Sequence, residues 1–209
     1  MLALTEFVID FARGIELADL RGPVAINART KIAFRAGIGP HSENETIRLV
    51  LNELSAIKSE TYGDYRLGVP YPKSPGRRCD LCLGTPPAWV WAIEAKMLRL
   101  YRDNGKLNDN MLMHILSPYP EHRSALTDCQ KLIESGLRGR KAIVVYGYES
   151  AQFPTGPAIR AFELLARDLV RLSERATACF RGLMHPMHQS GVVVAWEIAE
   201  KEARLMAEM

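Results

Sequence analysis

An acidic and a basic side chain stand two residues apart in the middle of the chain, in the segment Glu94-Ala95-Lys96. Thirteen residues separate Glu94 from a further acid, Asp80, and both segments read as strands joined by a tight turn. Since alternate residues of a strand share a face, Glu94 and Lys96 point the same way. An apolar strand has little reason to carry this pair unless a metal ion or a substrate binds there.

The donor types in this hairpin favour a hard cation. Asp80, Glu94 and the backbone carbonyl of Ala95 would give Mg²⁺ the oxygen ligands it prefers, and we expect Mn²⁺ to substitute for it. Lys96 would orient the attacking water or lower its pKa, and would stabilise charge in the transition state. The hairpin therefore predicts hydrolysis by a metal-activated water. The alternative is a surface salt bridge between Glu94 and Lys96, with Asp80 as a turn residue.

A helix ahead of the hairpin supplies another candidate acid. Ser42 and Glu45 form a capping-box pattern, which predicts a helix that runs to about Lys58. Steps of 100° per residue place Glu43 near the centre of the apolar stripe, facing the sheet. Glu43 would then touch a second ion or a metal-bound water. The alternative is that Glu43 only complements the positive end of the helix dipole.

Helices and strands alternate along the second half of the chain, so we predict an α/β fold with a mixed sheet. The predicted helices cover residues 2–20, 42–58, 123–135, 155–174 and 198–209. The predicted strands cover residues 62–71, the two arms of the hairpin, 141–148 and 192–196, of which 141–148 reads as central and buried.

The order of these features resembles the PD-(D/E)xK nuclease superfamily: an acidic helix, a strand, Asp80 on a second strand and Glu94-Ala95-Lys96 on a third. The resemblance covers residues 42–148 and implies a restriction-endonuclease-like core, a mixed central β-sheet flanked by helices. Residues 42–209 would form the nuclease-like domain and residues 1–41 a helical extension that packs with it. Cys79 stands where the superfamily signature has proline.

The resemblance implies a Mg²⁺-dependent DNA endonuclease of restriction or phage defence that acts as a homodimer. It also implies a polar residue on the helix after the third strand. Gln130 flanks the inward face of that helix, whereas Lys131 is predicted to point away. The alternatives are a nuclease that acts on RNA, and a catalytically silent module of the same fold that binds nucleic acid or takes part in an assembly.

Composition is that of an ordinary globular protein, with 47% hydrophobic residues and a net charge of +3. We expect a cytoplasmic protein, because no apolar run approaches a membrane helix and the N-terminus lacks the order of a signal peptide. Positive charge is concentrated just before Asp80, where it would attract phosphate; the alternative is an ordinary solvated loop. The residues concerned are Arg66, Lys73, Arg77 and Arg78.

The pair Cys79 and Cys82 is typical of zinc ligands, with Cys129, Cys179, His185 or His188 to complete four. Residues 79 and 82 of a strand face opposite sides, however, so we expect buried thiols. His185 and His188 are predicted to be surface residues.

Overall fold

A mixed, open seven-stranded β-sheet with helices on both faces forms the centre of the protein. The computed structural model describes residues 2–108 and 110–201. The helices are α1 (Leu4–Leu20), α2 (Glu43–Ile57), α3 (Ser59–Tyr62), α4 (Met113–Leu116), α5 (Ala125–Glu134) and α6 (Gly156–Leu169). The strands are β1 (Tyr65–Tyr71), β2 (Ser74–Thr85), β3 (Ala88–Arg99), β4 (Arg140–Tyr148), β5 (Arg171–Leu172), β6 (Ala176–Arg181) and β7 (Ser190–Ala199).

The strand order is β1-β2-β3-β4-β7-β5, and β6 also pairs with β7. Strands β1, β2 and β3 are antiparallel neighbours, while β3 and β4 are parallel and are joined through α5. The predicted α/β class and mixed sheet are confirmed. Among the described residues, no helix is long and apolar enough to cross a membrane.

Two hydrophobic cores lie on opposite faces of the sheet. One packs α1 and α2 against it, with Trp91 buried at the sheet surface, and the other packs α5 and α6 against it around Trp196. The predicted extension shares the first core, and Asp10 of α1 accepts hydrogen bonds from Lys58 at 2.7 Å and from Tyr62 at 2.8 Å. Helix α1 therefore packs with the rest of the chain.

Strand β3 departs from regular alternation near its start. Its pairing with β2 shifts register so that Leu83 pairs with Trp91 and the next residue, Gly84, with Trp89. The intervening Val90 bulges out and is exposed. Trp89 consequently shares the face of Ala92, whereas regular alternation along the strand predicts that the two residues lie on opposite faces.

The end of the chain differs from prediction in three places. Helix α6 ends at Leu169, before the predicted 174, and strand β6 lies in a segment for which no element was predicted. The predicted helix 198–209 is wrong at its start, because Ile198 belongs to β7. Its residues 202–209 lie outside the described part of the chain.

Candidate active site

Strands β2 and β3 separate at Asp80, and the predicted site lies in the fork that opens there. The last pair of their ladder is Leu81 with Ile93. Beyond it, the backbone N–H of Ala95 donates to Oδ2 of Asp80 at 3.0 Å, and that of Met97 donates to Oε2 of Glu43 at 2.7 Å. Two carboxylates thus satisfy backbone donors that a neighbouring strand would otherwise satisfy.

The carbonyl of Ala95 faces the same fork. A strand residue that exchanges hydrogen bonds directs its N–H and its C=O toward one neighbour. Because the N–H of Ala95 points at Asp80, its carbonyl oxygen also lies on the β2 side. By this geometry a backbone oxygen lies on the side of β3 where Asp80 and Glu43 accept hydrogen bonds, from which it could serve as a third metal ligand.

Glu43 is the first residue of α2, and the helix starts there because the side chain of Ser42 accepts a hydrogen bond from the Glu45 N–H. Its predicted inward orientation is confirmed by the contact with Met97. Burial raises the pKa of Glu43 to about 7, assisted by Asp80 and opposed mainly by Lys96. At neutral pH this carboxyl is poised between its protonated and charged forms.

Asp80 lies on β2 beside a cavity of about 300 Å³ between this strand, β1 and α2. Burial raises the pKa of Asp80 above its ordinary value, against the opposing effects of Lys96 and the Ala95 N–H. The cavity is lined by Asn44, Ile47, Leu67, Gly68, Arg78 and Asp80. The side chains of the basic stretch ahead of Asp80 are exposed. A carboxylate and an exposed arginine therefore border one cavity.

Lys96 is 9% exposed and lies among carboxylates. Its Nζ is 2.7 Å from Oδ2 of Asp128 and 3.7 Å from Oε1 of Glu43. Burial alone would lower the pKa of Lys96, but Glu43, Asp128 and Asp80 outweigh it and raise that pKa. Lys96 is consequently a fixed positive charge.

Glu94 is only 1% exposed, and its carboxylate is directed toward α5. Lys131 Nζ lies 3.1 Å from Oε1 of Glu94, and the Tyr71 hydroxyl donates to the same oxygen. Burial, followed by repulsion from Asp128, raises the pKa of Glu94 to about 8, against the opposing effects of Lys131 and Lys96. Glu94 would have to leave these partners to share an ion with Asp80.

Asp128, which was not predicted from the sequence, holds the site together. Asp128 Oδ1 lies 2.7 Å from Lys131 Nζ, while its other oxygen contacts Lys96. A signal for Asp128 was present, since it follows Ala125 by three residues and precedes Leu132 by four, on the buried stripe of α5. A buried acid on that stripe requires a cationic partner.

The predicted orientations of Gln130 and Lys131 are wrong. Gln130 is exposed, whereas the Lys131 ammonium reaches Glu94 and Asp128. Helical side chains lean toward the N-terminus, and the flexible lysine stem can bring its charged end into the site from the flank of the helix. The ring of Tyr71, 5.5 Å from Lys131 Nζ, borders that path.

We name these six residues the charge cluster: Glu43, Asp80, Glu94, Lys96, Asp128 and Lys131. With every group ionised, its four carboxylates exceed its two ammonium groups by two negative charges. Such a set fits a divalent cation in both charge and donor chemistry, since carboxylate and carbonyl oxygens suit Mg²⁺. Glu43 and Asp80 are its partly accessible acids.

A second cluster contradicts the predicted surface position of the histidines. His185 and His188 are buried, and His188 Nε2 lies 3.0 Å from Oδ1 of Asp103. Among the described residues, these three form the group whose donor atoms all lie within 4.8 Å of one another. The charge cluster is more spread, because Glu94 faces α5.

The cysteines are free thiols, and Cys79, Cys82 and Cys129 are buried as predicted. Cys79 and Cys82 nevertheless lie on one face of the sheet, where the neighbouring Cys82 side chain and burial raise the pKa of the Cys79 thiol. Their predicted positions on opposite faces are wrong.

Comparison with family models, with curated proteins and with solved structures gave no match to this chain.

Proposed function

We propose that the protein is a Mg²⁺-dependent nuclease that hydrolyses phosphodiester bonds of DNA, and that Mn²⁺ can replace Mg²⁺. The observation that carries this proposal is the fork between β2 and β3, where Asp80, Glu43 and the backbone of Ala95 meet beside Lys96. Acids that hold a cation next to a fixed positive charge are what phosphodiester hydrolysis requires.

The order of elements also supports a restriction-endonuclease-like core. An acidic helix precedes three antiparallel strands, and α5 crosses over to a fourth strand that is parallel to β3. Asp80 lies on the second strand and Glu94 on the third, as the resemblance to PD-(D/E)xK nucleases implies.

In this mechanism Asp80, Glu43 and the Ala95 carbonyl would hold the cation, and Glu94 would join them on leaving Lys131. The bound ion would supply a water of lowered pKa and a counter-charge for the phosphate. Lys96 would orient that water and stabilise negative charge developing on the phosphate oxygens. Asp128 positions the Lys96 ammonium for this task.

The exposed basic stretch ahead of Asp80 would bind the phosphate backbone on either side of the bond that is cut. We further propose that two copies act together on duplex DNA, in restriction or phage defence, because two cuts require two sites. Sedimentation with and without a DNA duplex tests this pairing.

A second candidate function is a nucleic-acid-binding or assembly module without catalysis. The observation that favours it is the buried position of Glu94, whose carboxylate is held by Lys131 and Tyr71. In that case the charge cluster would stabilise the fold, and no cation would enter it.

Purified protein incubated with four substrates in Mg²⁺, Mn²⁺ or a chelator separates these functions. The substrates are supercoiled plasmid, linear duplex, single-stranded DNA and RNA. We expect cleavage of DNA in either metal and none in the chelator. Cleavage of RNA but not of DNA would show that the substrate is RNA. Inactivity on all four substrates, in a protein that still binds DNA, would favour the binding module.

A further inference from the structure

A cluster of side chains of metal-ligating types, none of which belongs to the charge cluster, lies where the loop after β3 meets the connection between β6 and β7. The loop supplies Asp103, and the connection supplies His185 and His188. The two histidines lie in one tight turn, closed by a hydrogen bond of 3.1 Å from His188 N to His185 O. This turn brings both rings to one side, beside the aspartate.

We propose that Asp103, His185 and His188 bind a divalent transition-metal ion of the zinc class. Imidazole nitrogens together with one carboxylate are donors that Zn²⁺ and its neighbours accept. Three protein ligands leave a fourth position for water. The inference does not depend on the proposed nuclease activity, because no residue of the charge cluster takes part.

The separations within the cluster suit ligands of one ion. Two donors at about 2.0–2.1 Å from a metal lie roughly 2.9–3.4 Å apart for angles between about 90° and 109°. The 3.0 Å between His188 Nε2 and Asp103 Oδ1 falls in that range. Two imidazoles on one ion place their ring centroids roughly 4.5–5.2 Å apart by the same geometry. The rings of His185 and His188 are 4.9 Å apart and nearly parallel, at 19°, and the donor atoms of the three residues all lie within 4.8 Å of one another.

Burial gives the cluster the character of a built site. His188 is fully buried between the rings of Tyr101 and Tyr148, at centroid distances of 5.1 and 5.0 Å. Its Nε2 faces Asp103, whereas its Nδ1 lies on the other side of the ring, is buried and has no hydrogen-bond partner among the described residues. The Asp103 side chain is 24% exposed, so an ion can enter from its side.

The nearby guanidinium of Arg99 does not occupy this position. The guanidinium of Arg99 has Nη1 3.9 Å from Asp103 Oδ1, but the same nitrogen donates to the Gly39 carbonyl at 2.7 Å. The Arg99 charge is therefore directed to the backbone, and His188 Nε2 is the closer partner of Asp103. An ion that replaces the proton between them would keep both groups in place.

The site would also fix the start of α2. Gly39 packs so closely on His188 that an added Cβ would lie 2.6 Å from the Cβ of that histidine. Gly39 lies three residues before Ser42, which caps the helix that carries Glu43. A metal ion bound at His188 would hold the segment from Gly39 to Ser42 in place, and would raise the thermal stability of the protein.

Titration of chelator-treated protein with Co²⁺, followed by visible absorption, tests the proposal. We expect one equivalent of Co²⁺ to produce ligand-field bands in the visible region, and Zn²⁺ to abolish them. Asp103→Asn and His188→Ala should each weaken Co²⁺ binding at least about tenfold, because loss of a direct ligand exceeds the usual outer-shell effect. Asp80→Asn should keep the visible Co²⁺ bands of the wild type, because these bands arise from the histidine ligands, and this result separates the site from the charge cluster.

His114→Ala is the matched control, since His114 is exposed on the short helix α4. It should leave Co²⁺ binding unchanged. If a variant does not fold, NMR of the wild-type protein still tests the site. Zn²⁺ should shift the ring-proton resonances of two histidines and leave those of the other histidines unchanged. Absence of visible bands, equal Co²⁺ affinity in Asp103→Asn, or unshifted histidine resonances would overturn the proposal.

Discussion

The ammonium of Lys96 lies 2.7 Å from Oδ2 of Asp128, so a lysine of strand β3 and an aspartate of helix α5 form an almost wholly buried ion pair. The second oxygen of Asp128 contacts Lys131, which in turn contacts Glu94. Asp128 thereby links the only two ammonium groups of the charge cluster, and its removal would leave both without their common partner.

Asp128→Asn is expected to destabilise the metal-free protein by about 3 kcal/mol, the usual cost of breaking a buried ion pair from one side. Urea unfolding in a chelator measures the change. Asp168→Asn, at an exposed position of α6, is the control and should stay within about 0.5 kcal/mol of the wild type. Equal unfolding midpoints for the two variants would contradict the role of Asp128.

Stability of the metal-free protein should fall as the pH rises through the range in which the buried glutamates ionise. The pKa of Glu43 is raised to about 7 and that of Glu94 to about 8, so folding favours their protonated forms. This stabilisation is full below about pH 4.5, the ordinary value, and is lost as the pH passes 7 to 8. The unfolding midpoint should fall less between pH 5 and pH 9 in Glu94→Gln than in the wild type. The same pH dependence in both proteins would count against the raised pKa.

Glu43→Gln should weaken Mg²⁺ binding at least about tenfold, because it removes one of the two accessible carboxylates of the fork. Glu45→Gln is matched to it, since Glu45 is another first-turn acid of α2 but pairs with Arg48 at the surface. Calorimetric titration with Mg²⁺ measures both. Equal affinities would mean that Glu43 only complements the helix dipole.

Lys131→Met should strengthen Mg²⁺ binding by a few-fold, since it releases Glu94 and makes the charge cluster more negative. Methionine keeps an apolar stem beside Tyr71. Lys73→Met changes an exposed lysine and should leave the affinity as it is. Weaker or unchanged Mg²⁺ binding in Lys131→Met would show that Glu94 does not join the ion.

Local patterns in the sequence predicted much of the fold. The capping box placed the start of α2 because a cap and its partner lie within one turn. The apolar run 141–148 predicted the buried strand β4 for a similar reason, since strand propensity is carried by neighbouring residues. Strand β6 was missed although Ala176 and Phe180 alternate with exposed residues, because only two of its side chains are fully buried.

Contacts between distant segments could not be predicted in the same way. The inward path of Lys131 depends on Tyr71 of β1, and the burial of His188 depends on the loop that carries Asp103. Helical geometry gives the direction of a Cα–Cβ bond. A lysine side chain is long and flexible, however, so the position of its ammonium group depends on the acids that it contacts. The acids and the lysine of the fork were found because their types conflict with an apolar strand.

The most direct test of the charge cluster as a catalytic centre is the single-turnover rate of plasmid cleavage in Mg²⁺, compared between wild type, Lys96→Met and Lys106→Met. Lys106 is exposed in the loop after β3 and serves as the control. We predict that Lys96→Met lowers the rate by a factor of about 10² to 10⁴ and that Lys106→Met matches the wild type. Equal cleavage by all three proteins, or none by the wild type, would contradict the proposed catalysis.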